Sequence, residues 1–347
     1  MRLPRVLAKG EGIYHVISRI SGQRFLLDAK EKPLLEWLMN AVAGFSGVDV
    51  LAYVFMDNHF HMLVKVPVCQ DVDDEELVRR MCLLYGKKKT DRILGEWGLW
   101  ESKGLEFKVV DAKEALRRRM YDLSQFCKTF KETFSMLYND RHEHSGTIWG
   151  SRFKSILLSP DYRTLMTVAA YINLNPVRAD VVNDPSEYLW SGYGAAKQGK
   201  NLARKGMCNL VSTALGRKGV VSFEVALAAC DAAMEGYVDA PASIDDIAAP
   251  AAKHDPENAP EFDSAQVNAA IKEGKPISLF EALRCKIRYF SHGIAVGPVA
   301  FVRQVVKPLA SNKDTTRKCR GCRDLDLYTA RRLRGGGELS VPKRHIG

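Results

Sequence analysis

The stretch Val48–Val66, VDVLAYVFMDNHFHMLVKV, limits the fold more than any other part of the chain. Two apolar runs flank Asp57-Asn58, a pair whose side chains favour a tight turn. The segment is therefore expected to be a strand, a turn and a returning strand. Side chains two apart on a strand share a face. His59 and His61 then project together, while Phe60 points into whatever covers the other side. Two imidazoles side by side on a rigid strand make half of a metal site, which needs a further ligand from elsewhere in the chain.

The flanking sequence points to an α+β fold. Gly12–Ile20 alternates Ile13, His15 and Ile17 against Tyr14, Val16 and Ser18, which predicts a strand. His15 could belong to a site, but a histidine alone on its strand is more often structural. Leu34, Leu35, Leu38, Met39 and Val42 form an apolar stripe and predict a helix over 29–43. With the hairpin, the order is strand, helix, strand, strand, the start of a sheet built on antiparallel pairing. A second helix is expected over 71–85, opening on acids that suit a helix N-terminus. Lys87, Lys88 and Lys89 follow it, a solvated run that could also touch phosphate. The apolar residues of 112–138 recur at spacings of four and three, which predicts one long helix. Thr147–Leu158 reads as a strand with a basic centre, Arg152 and Lys154. The segment 161–175 reads as a helix that stops where Pro176 disfavours helical geometry at Asn175. His142 and His144 sit in a loop without a strand pattern and are not expected to be ligands.

The chain has 347 residues, 46% hydrophobic and 27% charged, with a net charge of +10. A pI near 9.1 favours nucleic acid or an anionic membrane as partner. No apolar run is long enough to span a bilayer, and the basic N-terminus lacks an apolar signal core. The expected location is the cytoplasm. Its eight cysteines are then expected to be reduced; Cys319 and Cys322 form a lone CxxC without a second pair.

After Trp190 the composition shifts. Residues 196–219 read as a basic connector, 222–234 as a short helix with Ser222 as N-cap, and 240–260 as an Ala/Pro/Asp-rich flexible linker. Leu279–Tyr289 and Val299–Leu309 read as two helices joined by the turn SHGIAVGP, a helical hairpin or a helix-turn-helix. From Lys313 a basic tail follows, expected to raise DNA affinity. The expected organisation is a catalytic domain over 1–195, a connector and short helix over 196–239, a linker over 240–275 and a basic, mostly helical region over 276–347.

Tyr171 and Asn175 lie four apart on the helix before Pro176, so they share a face. Asn175 could give a cation its carbonyl oxygen and Tyr171 could attack an electrophile beside it. Read singly, they are a core tyrosine and a helix cap.

Together these residues resemble a known family. His59-Phe60-His61 resembles the HUH motif, and Tyr171-Ile172-Asn173-Leu174-Asn175-Pro176 resembles the nucleophile helix of the single-tyrosine HUH transposases, in particular the REP-associated tyrosine transposases. GTIWGSRFKS, before that helix, is similar as well. The resemblance covers roughly residues 12–193. It implies a ferredoxin-like core with a central antiparallel sheet, and Mg²⁺ or Mn²⁺ held by His59, His61 and Asn175. It also implies Tyr171 as nucleophile on single-stranded or hairpin DNA, with a 5′-phosphotyrosine intermediate. Arg152, Lys154, Arg178, Lys87 and Lys88 are the expected DNA contacts. A bacterial, nucleoid-associated location is implied, and assembly as a homodimer is left open. Two other functions fit the residues less fully. One is a hairpin-DNA-binding protein that does not cut. The other is a metal-dependent hydrolase acting through water, which lacks a carboxylate beside the histidines because Asp57 falls in the turn.

Overall fold

The computed structural model describes residues 5–248, 264–273, 277–285, 289–291, 293–309, 316–318 and 326–330. The elements are β1 Gly12–Arg19, α1 Lys32–Ser46, β2 Asp49–Met56, β3 His59–Val66, α2 Asp74–Tyr85, α3 Lys87–Glu101, α4 Glu106–Arg117, α5 Leu123–Arg141, β4 Lys154–Leu158, α6 Tyr162–Asn173 and α7 Asn175–Arg178. They continue with α8 Gly192–Lys197, α9 Asn201–Ala214, α10 Phe223–Met234, α11 Asp245–Ala248, α12 Ser264–Lys272, α13 Leu279–Arg284, β5 Ala295–Gly297, α14 Val299–Val306, β6 Thr316–Lys318 and β7 Tyr328–Ala330.

The strands form one sheet in the order β2-β3-β1-β4-β5-β7-β6. All neighbours are antiparallel except β4 and β5, which run parallel. The expected turn at Asp57-Asn58 joins β2 to β3, which pair with Met56 opposite His59. Strand β3 then lies between β2 and β1, with Arg19 opposite His59 and Ile17 opposite His61.

Alternation divides the sheet into two apolar layers. Tyr14, Val16, Phe60, Met62 and Val64 pack toward α1, α2 and α5. Ile13, Ile17, Val54 and Leu63 pack on the opposite side, against α6, α9 and α10. Helix α6 is buried along its whole length. Burying each Leu, Ile or Met side chain there contributes about 1.5–3 kcal/mol. Asp161 caps the helix, its carboxylate accepting from the Thr164 N–H at 2.9 Å.

Several expectations are corrected here. The long helix over 112–138 is two helices. Tyr121 has a left-handed backbone, φ 52°, and Asp122 starts α5 afresh by accepting from the Gln125 N–H. The lysine run, exposed after α2, forms the first turn of a further helix, α3. The strand expected from Thr147 begins only at Lys154. Asn175 does not leave helical geometry for good, because Leu174 breaks the helix and Asn175-Pro176 opens the one-turn α7, with proline at a position where no N–H is needed.

The region after 195 is also different from expectation. The basic connector contains α9, whose Ala203, Met207, Leu210 and Val211 join the α6 core. A Cβ at Gly206 would lie 2.6 Å from the Val50 carbonyl oxygen, so glycine lets α9 approach β2 closely. Leu279, Leu283, Phe290 and Val296 enter that same core. The described residues on either side of position 195 therefore share one interior. The expected helical hairpin is interrupted by β5, which extends the sheet beside β4. Residues 249–263 of the linker, most of the basic tail, and Cys319 and Cys322 lie outside the described residues. Among the described residues, no helix is long and apolar enough to cross a membrane.

Candidate active site

His59 and His61 share the α6 face of β3, with ring centroids 5.1 Å apart. His15, on the adjacent strand, projects to the same face. Its Nε2 lies 2.8 Å from His61 Nδ1, and its Nδ1 lies 2.8 Å from the Phe290 carbonyl oxygen. His15 is 0% and His61 1% exposed. His59 is half-buried. Its Nδ1 lies 2.6 Å from Asn58 Oδ1, and the Asn175 side chain stands beside its ring.

Helix α6 carries Tyr171 into this group. The tyrosine ring stands edge-on to both buried histidines, 5.9 Å from His61 and 6.0 Å from His15. Phe290 closes its outer side at 5.4 Å. Tyr171 is 7% exposed and Asn175 8%. The sequence-derived set of His59, His61, Tyr171 and Asn175 is thus brought together from β3, α6 and α7.

Arg178 is placed otherwise than expected. It is buried rather than offered to DNA. Its guanidinium lies 4.0 Å from the Tyr171 ring centroid. Nη2 donates to the Tyr171 carbonyl at 2.6 Å, and Nη1 donates to the Leu283 carbonyl at 2.7 Å. An arginine reads from sequence as a surface residue, and only the fold shows this one turned inward. Lys154 is half-buried and donates to the Ser291 carbonyl at 2.7 Å. Arg152 is exposed and lines a cleft of about 700 Å³ with Arg5, Lys128 and Lys131, on the α5 side of the sheet. Lys87, which pairs with Asp91, and Lys88 are exposed on α3, in the helical layer beside α2.

Other groups stay apart. His142 Nε2 donates to the Glu31 carboxylate and its ring stacks on Tyr138, and His144 reaches Asn139, so this second pair belongs to the end of α5. Asp57 is tied to Lys32 and brings no carboxylate to the histidines. Arg19 was not singled out by sequence reasoning. It is exposed, faces the same side as His15 by strand alternation, and pairs with His59 across the strands. Its spacing of four from His15 was the available signal.

Burial sets the charge state of the site. It pushes His15 down to about 4 and His59 down to about 3, and it holds His61 well below the usual imidazole range. The charges of Arg19 and Arg178 press His59 and His61 in the same direction. All three imidazoles are therefore neutral near pH 7 and keep a lone pair.

Among the described residues, no group of three or more His, Cys, Asp or Glu side chains could hold a metal ion. The donors that converge are two imidazoles and one carboxamide. His59 Nδ1 is engaged by Asn58 and His61 Nδ1 by His15, which leaves an Nε2 on each ring. Two neutral imidazoles with committed Nδ1 atoms and one amide oxygen fit a first-row divalent ion such as Mn²⁺. They fit Mg²⁺ less well, because it prefers oxygen ligands.

No protein-family model matches the chain, and no curated protein does. A solved structure of a REP-associated tyrosine transposase bound to a REP hairpin is similar over 57% of this chain and 87% of its own, at 16% identity and a TM-score of 0.37.

Proposed function

We propose that the chain is a single-tyrosine HUH transposase with a ferredoxin-like core, which cleaves and rejoins single-stranded or hairpin DNA of the REP type. One observation carries the reading: Tyr171 is held against His61 and His15 while the Asn175 side chain stands beside His59, so a nucleophile and a ligand-type donor set occupy one place. The phenol oxygen of Tyr171 forms a bond to a backbone phosphorus. The phenol releases its proton as this bond forms, the P–O3′ bond breaks, and the leaving 3′ oxygen takes up a proton to become a hydroxyl. The 5′ phosphate remains on Tyr171, and the reverse attack by a 3′-hydroxyl restores the strand without a nucleotide cofactor.

His59, His61 and the Asn175 amide oxygen would hold the divalent ion. A bound cation would draw charge from a phosphate oxygen and make the phosphorus more electrophilic. Arg178 fixes the Tyr171 ring from one face and Phe290 packs against it on another side. Arg19, beside His59 on the open side, is placed to bind the phosphate. Arg152 and its neighbouring cations are placed to attract the rest of the strand, a contact that weakens with salt.

The test is incubation of full-length protein with labelled hairpin DNA and Mn²⁺, followed by a denaturing gel. A covalent adduct is expected from the wild type and none from Tyr171→Phe. Tight hairpin binding with no adduct under any divalent ion would favour the non-cutting DNA-binding function instead. Adduct formation by Tyr171→Phe would place the nucleophile elsewhere.

A further inference from the structure

The buried His15 has no part in the donor set or in the attack, yet its Nε2 lies 2.8 Å from Nδ1 of His61. Its other nitrogen faces the Phe290 carbonyl oxygen at 2.8 Å. A carbonyl oxygen only accepts, so the proton on that side belongs to His15 Nδ1. A neutral His15 then has a bare Nε2, which accepts. The proton between the two rings must come from His61 Nδ1. The opposite tautomer of His61 would set two lone pairs against each other at this distance, in a place that water does not reach.

From this chain of bonds we infer that His15 is a positioning residue that fixes His61 in its Nδ1–H form, so that the Nε2 lone pair of His61 faces the cation. The inference rests on the reading of His61 as a ligand. It extends that reading to a residue that only adjusts its neighbour, and to the far end of the chain. The last acceptor in the series comes from residue 290, which belongs to the segment that also lays β5 beside β4. The strand register explains the contact. His61 stands opposite Ile17, two residues along from His15 on the adjacent strand, and such diagonal neighbours are within reach of a ring. Metal-bound histidines usually give their second N–H to a carboxylate, a carbonyl or water, which fixes the ring and its tautomer. Here another histidine takes that role and passes the constraint to a backbone carbonyl.

Two readouts test the relay. The first uses the metal-free, ¹⁵N-histidine-labelled full chain near pH 7.5, with the His61 signals identified by their loss in His61→Gln. Long-range proton–nitrogen correlation should show His61 protonated at Nδ1. Protonation at Nε2 overturns the relay, whatever the metal does. The second is Mn²⁺ affinity, from the electron paramagnetic resonance signal of the free ion. His15→Phe keeps the ring volume but removes the acceptor, and should weaken binding about 10–100-fold. His15→Gln restores an acceptor near the Nε2 position and should keep the His61 tautomer and most of the affinity. Unchanged affinity in a natively folded His15→Phe overturns the inference. So does equal loss in both variants with native circular dichroism, since that is what a purely structural histidine predicts. Absence of Mn²⁺ binding in a wild type whose His61 carries the Nδ1 proton overturns the cation site while supporting the hydrogen-bond relay.

Discussion

Mild acid should loosen this fold through its histidine cluster. His15 is fully buried, and burial pushes it from 6.5 down to about 4. The unfolded chain takes up that proton near pH 6.5, whereas the folded protein resists until about pH 4. The unfolded state therefore holds more protons in this window, and stability falls as pH falls through it. Each pH unit of the displacement is equivalent to about 1.4 kcal/mol, so His15 alone contributes a loss of about 3 kcal/mol across the window. His59 and His61 are pushed the same way and add to the slope.

Other groups act in different ranges. Glu76, held down near 2 by Arg79 and Arg80, loses its stabilising charge only at lower pH. Lys131 is pushed down to about 8 by burial, so below that pH it is charged in both states. Burial raises Asp49 and Asp231, which favours the folded form as acid rises and offsets part of the loss close to the carboxylate range. The interval from pH 6.5 to 5 therefore isolates the histidines best. The assay is urea unfolding in chelating buffer, followed by far-ultraviolet circular dichroism at half-unit steps of pH. Wild-type stability should decline steadily below pH 6.5 and level off above pH 7. His15→Phe removes one ionisation and should flatten the slope by up to about 1.4 kcal/mol per pH unit. Flat wild-type stability from pH 7 to 5, or an equal slope in the variant, would refute the reasoning.

His59→Ala and His61→Ala should each eliminate adduct formation while leaving hairpin binding in a gel-shift measurement, whereas His142→Ala should change neither; cleavage that persists in EDTA would move the chemistry elsewhere. Arg178→Met removes two charge-assisted hydrogen bonds, each of about 1.5–3 kcal/mol, against some relief of burying a charge. A net loss of about 3 kcal/mol in urea stability is expected with a lower adduct yield, and an undiminished yield would show that Arg178 does not position Tyr171. Deleting residues 277–347 strips the acceptors from His15 and Arg178 and should reduce Mn²⁺ affinity and adduct yield at least about tenfold. A truncated chain that cuts like the full one would show that the C-terminal segment is not needed for the site.

The parts of the site that local pattern encodes were legible in the sequence. Asp57-Asn58 between apolar runs gave the hairpin, and the period of two put His59 and His61 on one face. The spacing of four put Tyr171 and Asn175 on one side of a helix. What was hidden depends on pairing between distant segments. His15 meets His61 only in a particular strand register, and Phe290 is 275 residues from His15. Arg178 looked like a surface cation because only the folded chain supplies the carbonyls that satisfy it inside. Helix α9 was masked by its basic residues, although Ala203, Met207, Leu210 and Val211 already formed a helical stripe. The apolar stripe of 112–138 runs on across the break at Tyr121, because both helices face the same core and periodicity alone does not register a left-handed residue.

The bond from His15 to Phe290 also sets an order in time. A ribosome adds about 5–20 residues per second, so His15 is made roughly 15–55 s before the carbonyl that receives its proton. Throughout that interval the nascent chain already carries Tyr171 and the histidine pair, but His15 has no fixed acceptor and Arg178 has one carbonyl fewer. The buried cluster around His15 and Tyr171 is therefore completed only once residue 290 has been made. A polypeptide released before residue 290 holds the same side chains without the carbonyls that fix His15 and complete the bonding of Arg178.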